Sequence, residues 1–227
     1  MKRTLFYQIV RTALFVPMCL IAFSFVSCSD DGDDDSSSVS TADDGYTVSG
    51  KLNGHYYVDL GLSVKWADRN IGALSSSAYG DYFAWGETET KDSYTYSNSV
   101  TYGVEMNEIA GSAEYDAATA NWGNKWRMPT IEEFEELLEK CSWVWTSRNG
   151  SNGYLVTGPN ANSIFLPAAG FRYGTYLYDA GSYGDYWSAA SGSNNATYAY
   201  SLDFDSSYHY VYSYDRCDGQ SVRPVSE

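Results

Sequence analysis

The chain has 227 residues, 44% hydrophobic and only 19% charged, with 22 Tyr and 20 Gly. This is the composition of a folded globular chain with room for one domain after any export segment is removed. A formal net charge of -15 with 14 Lys and Arg excludes a nucleic-acid partner, which needs clustered cations. Two His without an HxxxH or CxxC spacing exclude a transition-metal centre, and no cofactor is expected.

Lys2, Arg3 and Arg11 precede an apolar run over 12–26, the order of a secretory signal. The run is too short, and too soon followed by acid, for a membrane span. It ends at Phe25-Val26-Ser27-Cys28, which resembles the lipobox of bacterial lipoproteins, with Cys28 as the lipidated residue and 1–27 as the removed signal. The following SDDGDDDSSS cannot bury enough apolar surface to fold, so 28–45 is expected to be an acidic tether. Extended at roughly 3.4 Å per residue, it reaches on the order of 60 Å. An acidic cluster behind the lipidated cysteine resembles the surface-export signal of Bacteroidota lipoproteins. That resemblance implies a domain anchored to the outer membrane by lipid and facing the cell exterior. Cys141 and Cys217 remain for the folded part, and their redox state is left open by the sequence.

From residue 46 onward, short β-like runs are broken by Gly, Asn, Asp and Ser. An Ala-rich helix is predicted near 114–121, closing at Trp122-Gly123. A second is predicted from Thr130: Thr130 and Glu133 have the spacing of a capping box, and Ile131, Phe134, Leu137, Leu138 and Cys141 recur on one face. Its outer face carries Glu132, Glu135, Glu136 and Glu139 and reads as solvated surface. YGDYFA at 79–84 is echoed by YGDYWS at 183–188, two similar loop-to-strand entries rather than a repeat architecture. Near the C-terminus, Tyr198, Tyr200, Leu202 and Phe204 alternate with small or acidic residues. After Ser206-Ser207, Tyr208, Tyr210, Tyr212 and Tyr214 alternate with His209, Val211 and Ser213. An aromatic hairpin follows, with Leu202 and Phe204 directed to the core.

Six blocks carry a family resemblance: GHYYVDLGLSVKWADRNIGA (54–73), YGDYFAWGET (79–88), ANWGNKWRMPTIEEFEELL (120–138), NGYLVTGPNANSIFLPAAGFR (152–172), GDYWSA (184–189) and SVRPV (221–225). Together they resemble the Fibrobacter succinogenes major paralogous domain family, abundant in Bacteroidota lipoproteins. The resemblance implies an α+β C-type lectin-like domain over 46–227, with small twisted antiparallel sheets, two helices and long loops. It is similar also to the variable proteins of diversity-generating retroelements, whose randomised codons cannot encode Lys, Glu, Gln, Met or Trp. Residues 188–219 contain none of these five. Trp66, Trp85, Trp122, Trp126 and Trp187 stand in these blocks as core or platform residues, and Arg127-Met128-Pro129 and Arg223-Pro224 as locks on the second helix and the last strand.

The candidate binding residues are Ser207, Tyr208, His209, Tyr210, Tyr212, Tyr214, Asp215 and Asp218. Tyr offers large amphipathic contacts at small entropic cost, while Ser and Gly adapt their hydrogen bonds, as in antibody loops. The leading expectation is a surface-displayed, adhesin-like recognition module for a protein or glycan ligand. An alternative is a cell-surface glycan-active enzyme using Asp203 and Asp205, which share a strand face at i, i+2, although a solvated face explains them more simply. The other alternative is a structural lipoprotein. No catalytic residue is assigned, since His55 has no recognisable nucleophile beside it. No Glu-Pro-Asn or Trp-Asn-Asp motif supports calcium.

Overall fold

A computed structural model of the chain describes residues 40–41, 47–193 and 195–227. The expected export segment (1–27), Cys28 and most of the expected tether lie outside the described residues. Strand β1 (Ser40–Thr41) pairs antiparallel with β2 (Thr47–Val48), so backbone pairing begins within the stretch assigned to the tether. Among the described residues, no helix is long and apolar enough to cross a membrane.

The architecture is α+β, built from small antiparallel sheets and two helices. β3 (Gly50–Leu52), β4 (His55–Asp59) and β5 (Lys65–Ala67) join β14 (Val225–Ser226) in a four-stranded sheet of order β14-β5-β4-β3. β6 (Ser142–Arg148), β7 (Ser151–Thr157) and β8 (Ser163–Pro167) form a meander, and β9 (Phe171–Tyr173) pairs with β10 (Tyr176–Tyr178). β11 (Gly184–Ser191), β12 (Tyr198–Phe204) and β13 (His209–Asp215) form the sheet that carries the candidate site, with β13 at its edge. Two hairpins turn on Asn-Gly pairs, Asn53-Gly54 and Asn149-Gly150, all four residues at positive φ. Asn and Gly tolerate that conformation, and its twist matches that of the flanking strands.

The helices are short. α1 (Ala117–Trp122) begins later than its Ala-rich sequence suggests, because the Asp116 carboxylate accepts from the backbone N–H groups of Ala118 and Thr119 and so sets the helix start there. α2 (Ile131–Lys140) carries the expected capping box between Thr130 and Glu133. The Arg127 guanidinium holds Glu133 in a two-pronged ion pair at 2.6 and 2.8 Å, locking the helix start. Phe134 and Leu137 are buried, and Cys141, at the C-cap, packs partly buried against the same core. Cys217 is buried, both cysteines are free thiols, and burial pushes them up, Cys217 to about 12 and Cys141 to about 11.

Two cores flank the β11-β12-β13 sheet. On one face Tyr186, Leu202 and Phe204 join Phe134 and Leu137 of α2 with Trp66, Val156 and Ile164. On the other, Trp187, Ala189 and Ala199 join Phe83, Trp85, Trp126 and the α1 alanines. β11 and β12 are therefore enclosed on both sides, and the alternating exposure expected of β12 is replaced by burial at Ala199 and from Ser201 to Phe204. Gly184 sits opposite Phe204, whose ring occupies the space a Cβ would need. The echoed blocks prove only partly alike: 184–188 enters β11, while 79–84 is loop with a single bridge, Phe83 to Gln220. Both echoes nonetheless donate a Tyr hydroxyl to the 167–169 backbone, Tyr82 to Ala169 and Tyr186 to Pro167, each at 2.6 Å.

The C-terminal segment is threaded through this arrangement. Gly219 bridges to Arg172, Gln220 to Phe83, Ser221 to Tyr186, and Val225 to both Trp66 and Arg127. Arg223 is fully buried and donates to Asn70 Oδ1 and to the carbonyls of Ala67, Asp68 and Phe165. An ion so placed costs several kcal/mol of solvation unless its donors are satisfied, which these acceptors do.

Candidate functional site

Register decides which tyrosines are displayed. Tyr210 lies opposite Asp203, Tyr212 opposite Ser201 and Tyr214 opposite Ala199, while His209 and Val211 face the core beside Phe204 and Leu202. Because side chains alternate along a strand, one face of β13 joins the core and the other stands at the rim. Along that rim the rings of Tyr208, Tyr210, Tyr212 and Tyr214 follow one another at 5.4, 6.1 and 5.7 Å between centroids. These spacings lie in the range of favourable aromatic pairs. Tyr208, Tyr210 and Tyr212 are 42%, 39% and 58% exposed.

Beneath the ladder lie two buried carboxyl groups. Asp185 of β11 and Asp203 of β12 are register partners and are each 4% exposed. Asp185 Oδ2 and Asp203 Oδ1 have no hydrogen-bond partner. The Tyr214 hydroxyl donates to Asp203 Oδ2, which ties the buried end of the ladder to this floor. Burial, followed by the neighbouring Asp203, Asp218 and Asp179, pushes the Asp185 carboxyl up to about 8. Asp203 is also raised by burial, against the lowering effect of the Tyr214 hydrogen bond. Burial, then Asp215, lifts Asp218 to about 7. Near pH 7 the floor therefore holds fewer charges than its carboxyl count implies.

Several sequence expectations need correction here. His209 is not displayed: its ring stacks on Trp143 at 4.6 Å with 8° between planes, and burial lowers its pKa. Asp203 is no solvated strand residue, being 4% exposed. Asp205 lies beyond the end of β12, where its Oδ1 accepts the N–H groups of Ser207 and Tyr208 to shape the turn. Tyr214 is partly buried and anchors the ladder, Asp215 takes the Tyr102 hydroxyl at 3.2 Å, and Asp218 is half-buried beside Cys217. Ser207 is exposed at the turn.

The β9-β10 hairpin was not anticipated. Tyr173, Tyr176, Leu177 and Tyr178 are each 40% or more exposed. Arg172 bridges to Gly219, next to Asp218, and Gly170 bridges to Gly184, next to Asp185. Gly170 adopts φ +62°, and a Cβ there would lie 2.0 Å from the Tyr178 carbonyl oxygen. The sequence signal was present in the alternation of Tyr173, Tyr176 and Tyr178 around Gly174. Asp185, hidden inside the GDYWSA block, carried no sequence signal of its burial.

Among the described residues, no group of three or more His, Cys, Asp or Glu side chains is placed to hold a metal ion. The fold and site define a small α+β domain with an aromatic rim on an edge strand. Within it, residues 140–225 match the model of a family described as a domain of unknown function (DUF8237). No curated protein and no solved structure matches the chain.

Proposed function

We propose that the chain is a surface-exposed, lipid-anchored recognition module with a C-type lectin-like domain, and that the β13 rim contacts its ligand. The observation that carries this reading is the ladder: three tyrosines, 39% to 58% exposed, of which Tyr210 and Tyr212 stand on the outer face of an edge strand and Tyr208 just before it. Large exposed rings held by neighbours lose little side-chain entropy on contact, and such residues dominate binding energy when they are desolvated. The exposed tyrosines of the β9-β10 hairpin enlarge the same kind of surface. Its breadth favours a protein ligand over a single sugar, and the absence of Lys, Glu, Gln, Met and Trp from 188–219 supports diversification of this segment.

The test is retention of cells or arrayed surface proteins and glycans by the full-length chain and by a Tyr208→Ala, Tyr210→Ala, Tyr212→Ala variant. A loss of one hundredfold or more is expected, since each anchor of this type contributes about 2 kcal/mol. Unchanged retention on every arrayed surface would sink the reading.

Glycan hydrolysis is the second reading. The raised Asp185 carboxyl beside Asp203 has the look of an acid and base pair, and it replaces Asp203 with Asp205 as the carboxyl pair to consider. Burial of both groups, and the Tyr214 bond to Asp203, speak for recognition instead. Glycan turnover abolished in an Asp185→Asn, Asp203→Asn variant would reverse this preference.

A further inference from the structure

At the β3-β4 turn an open cavity of about 310 Å³ is lined by residues outside the tyrosine ladder, among them Lys51, His55, Tyr56, Asp68, Arg69 and Trp122. The volume falls at the lower end of small-molecule sites, and its aromatic walls with a few polar groups fit that class. The His55 ring lies flat on the Trp122 indole, with centroids 3.9 Å apart and 7° between planes, and Trp126 meets its edge at 6.5 Å. Opposite in character, Lys51 Nζ stands 4.9 Å over the Tyr56 ring.

The polar groups are specific. Asp68 is fully buried; its Oδ2 accepts from Arg69 Nε at 2.9 Å and Nη2 at 2.8 Å, while Oδ1 has no hydrogen-bond partner. Arg69 Nη1 donates to the Leu74 carbonyl at 2.7 Å, fixing the wall that carries the exposed Leu74 side chain. Burial, opposed by Asp68 and aided by the smaller effects of Arg69 and Lys51, keeps the His55 pKa below its usual value. Lys51 and Arg69 against Asp68 leave one net positive charge in a chain whose total is -15. Repulsion of an anion by the remaining surface is screened beyond about 8 Å at physiological salt, so an anion must be held by contact.

We propose that this cavity binds one carboxylated sugar ring, its apolar C–H face against the aromatic wall and its carboxylate on Lys51 Nζ. The unpartnered Asp68 Oδ1 accepts a ring hydroxyl, which favours a polyol over a simple fatty or aromatic acid. Lys51 is the group that separates acidic from neutral sugars.

The test titrates the full-length chain with D-glucuronate, D-glucose and acetate, following the tryptophan indole N–H resonances. Glucuronate is expected to move the Trp122 signal and to bind about tenfold more tightly than either glucose or acetate, the value of one charge-assisted hydrogen bond. Lys51→Gln, at an exposed position, should bring glucuronate down to glucose. Lys65→Gln, whose Nζ stands over Tyr57 at 5.2 Å and outside the cavity, should change nothing. Acetate binding as tightly as glucuronate, a Lys51→Gln variant that still prefers glucuronate, or no binding by any of the three would each overturn the proposal.

Discussion

Asp185→Asn isolates the energetic consequence of placing a carboxyl in the floor of the site. The parent carboxyl stands at about 8 in the folded chain against 3.8 as the ordinary value. One pKa unit corresponds to about 1.4 kcal/mol, so the full shift amounts to on the order of 6 kcal/mol. The sign follows from proton binding: the folded state holds the proton more tightly, so stability is complete below about pH 4 and is lost as pH rises through 8. About 2 kcal/mol of the loss has occurred by pH 5 and nearly all of it by pH 9. An amide is neutral throughout and can donate to the unpartnered Asp203 Oδ1. Asp185→Asn should therefore gain about 4 kcal/mol more over the parent at pH 9 than at pH 5, a large part of a typical total of 5 to 15 kcal/mol. Urea unfolding monitored by tryptophan fluorescence at both pH values measures this difference, with an unchanged denaturant slope confirming that the unfolded surface is the same. A difference below about 1 kcal/mol would mean that Asp185 titrates as an ordinary carboxyl, and the account of the floor would fail.

Tyr214→Phe removes the hydrogen bond that opposes the burial of Asp203, so the Asp203 carboxyl rises further. The variant should lose about 1 to 2 kcal/mol more at pH 9 than at pH 5 in the same urea assay. Thr130→Ala deletes one half of the α2 capping box and should cost about 1 kcal/mol at either pH, read from the unfolding midpoint. The parity of β13 gives a paired prediction: Tyr210→Ser with Tyr212→Ser should leave thermal stability within about 1 kcal/mol, whereas Val211→Ser, which places a hydroxyl against the core, should lower it by about 1 to 3 kcal/mol.

Local signals in the sequence were strong wherever one covalent feature decides the geometry. The Thr130 and Glu133 spacing gave α2, and alternation gave the β12-β13 hairpin with Leu202 and Phe204 inside. The five tryptophans of the six blocks are buried, in keeping with a core role. What sequence could not reveal was the second layer over β12. Alternation assigns Asp203 to an outward face, but residues 219–222 and the Phe83 to Trp85 loop cover the sheet there through contacts more than a hundred positions apart, such as Trp187 Nε1 donating to the Phe83 carbonyl at 2.8 Å. His209 was missed for a related reason. Its polarity suggested display, whereas its position in the period, and the flat face of Trp143 from β6, turned it inward.

The same two-layer arrangement bears on what would protect an exposed aromatic edge strand from pairing with another chain. Edge strands with apolar rows are templates for association, and charge near the edge is a common safeguard. Here Asp205 shapes the turn before β13, Asp215 ends the strand, and the chain as a whole carries -15. The rings are also held from below: Tyr214 is fixed to Asp203, and each ring toward Tyr208 leans on the last. Rings fixed before contact lose less freedom on contact, which strengthens binding without additional area. The core-facing residues of β13 are His209 and Val211, and the outward Tyr210 and Tyr212 carry little of the fold, unlike Tyr214, which is tied to Asp203. Under the proposed recognition role, Tyr210 and Tyr212 could change while the backbone stays in place, which is the physical requirement that a diversified binding segment would have to meet.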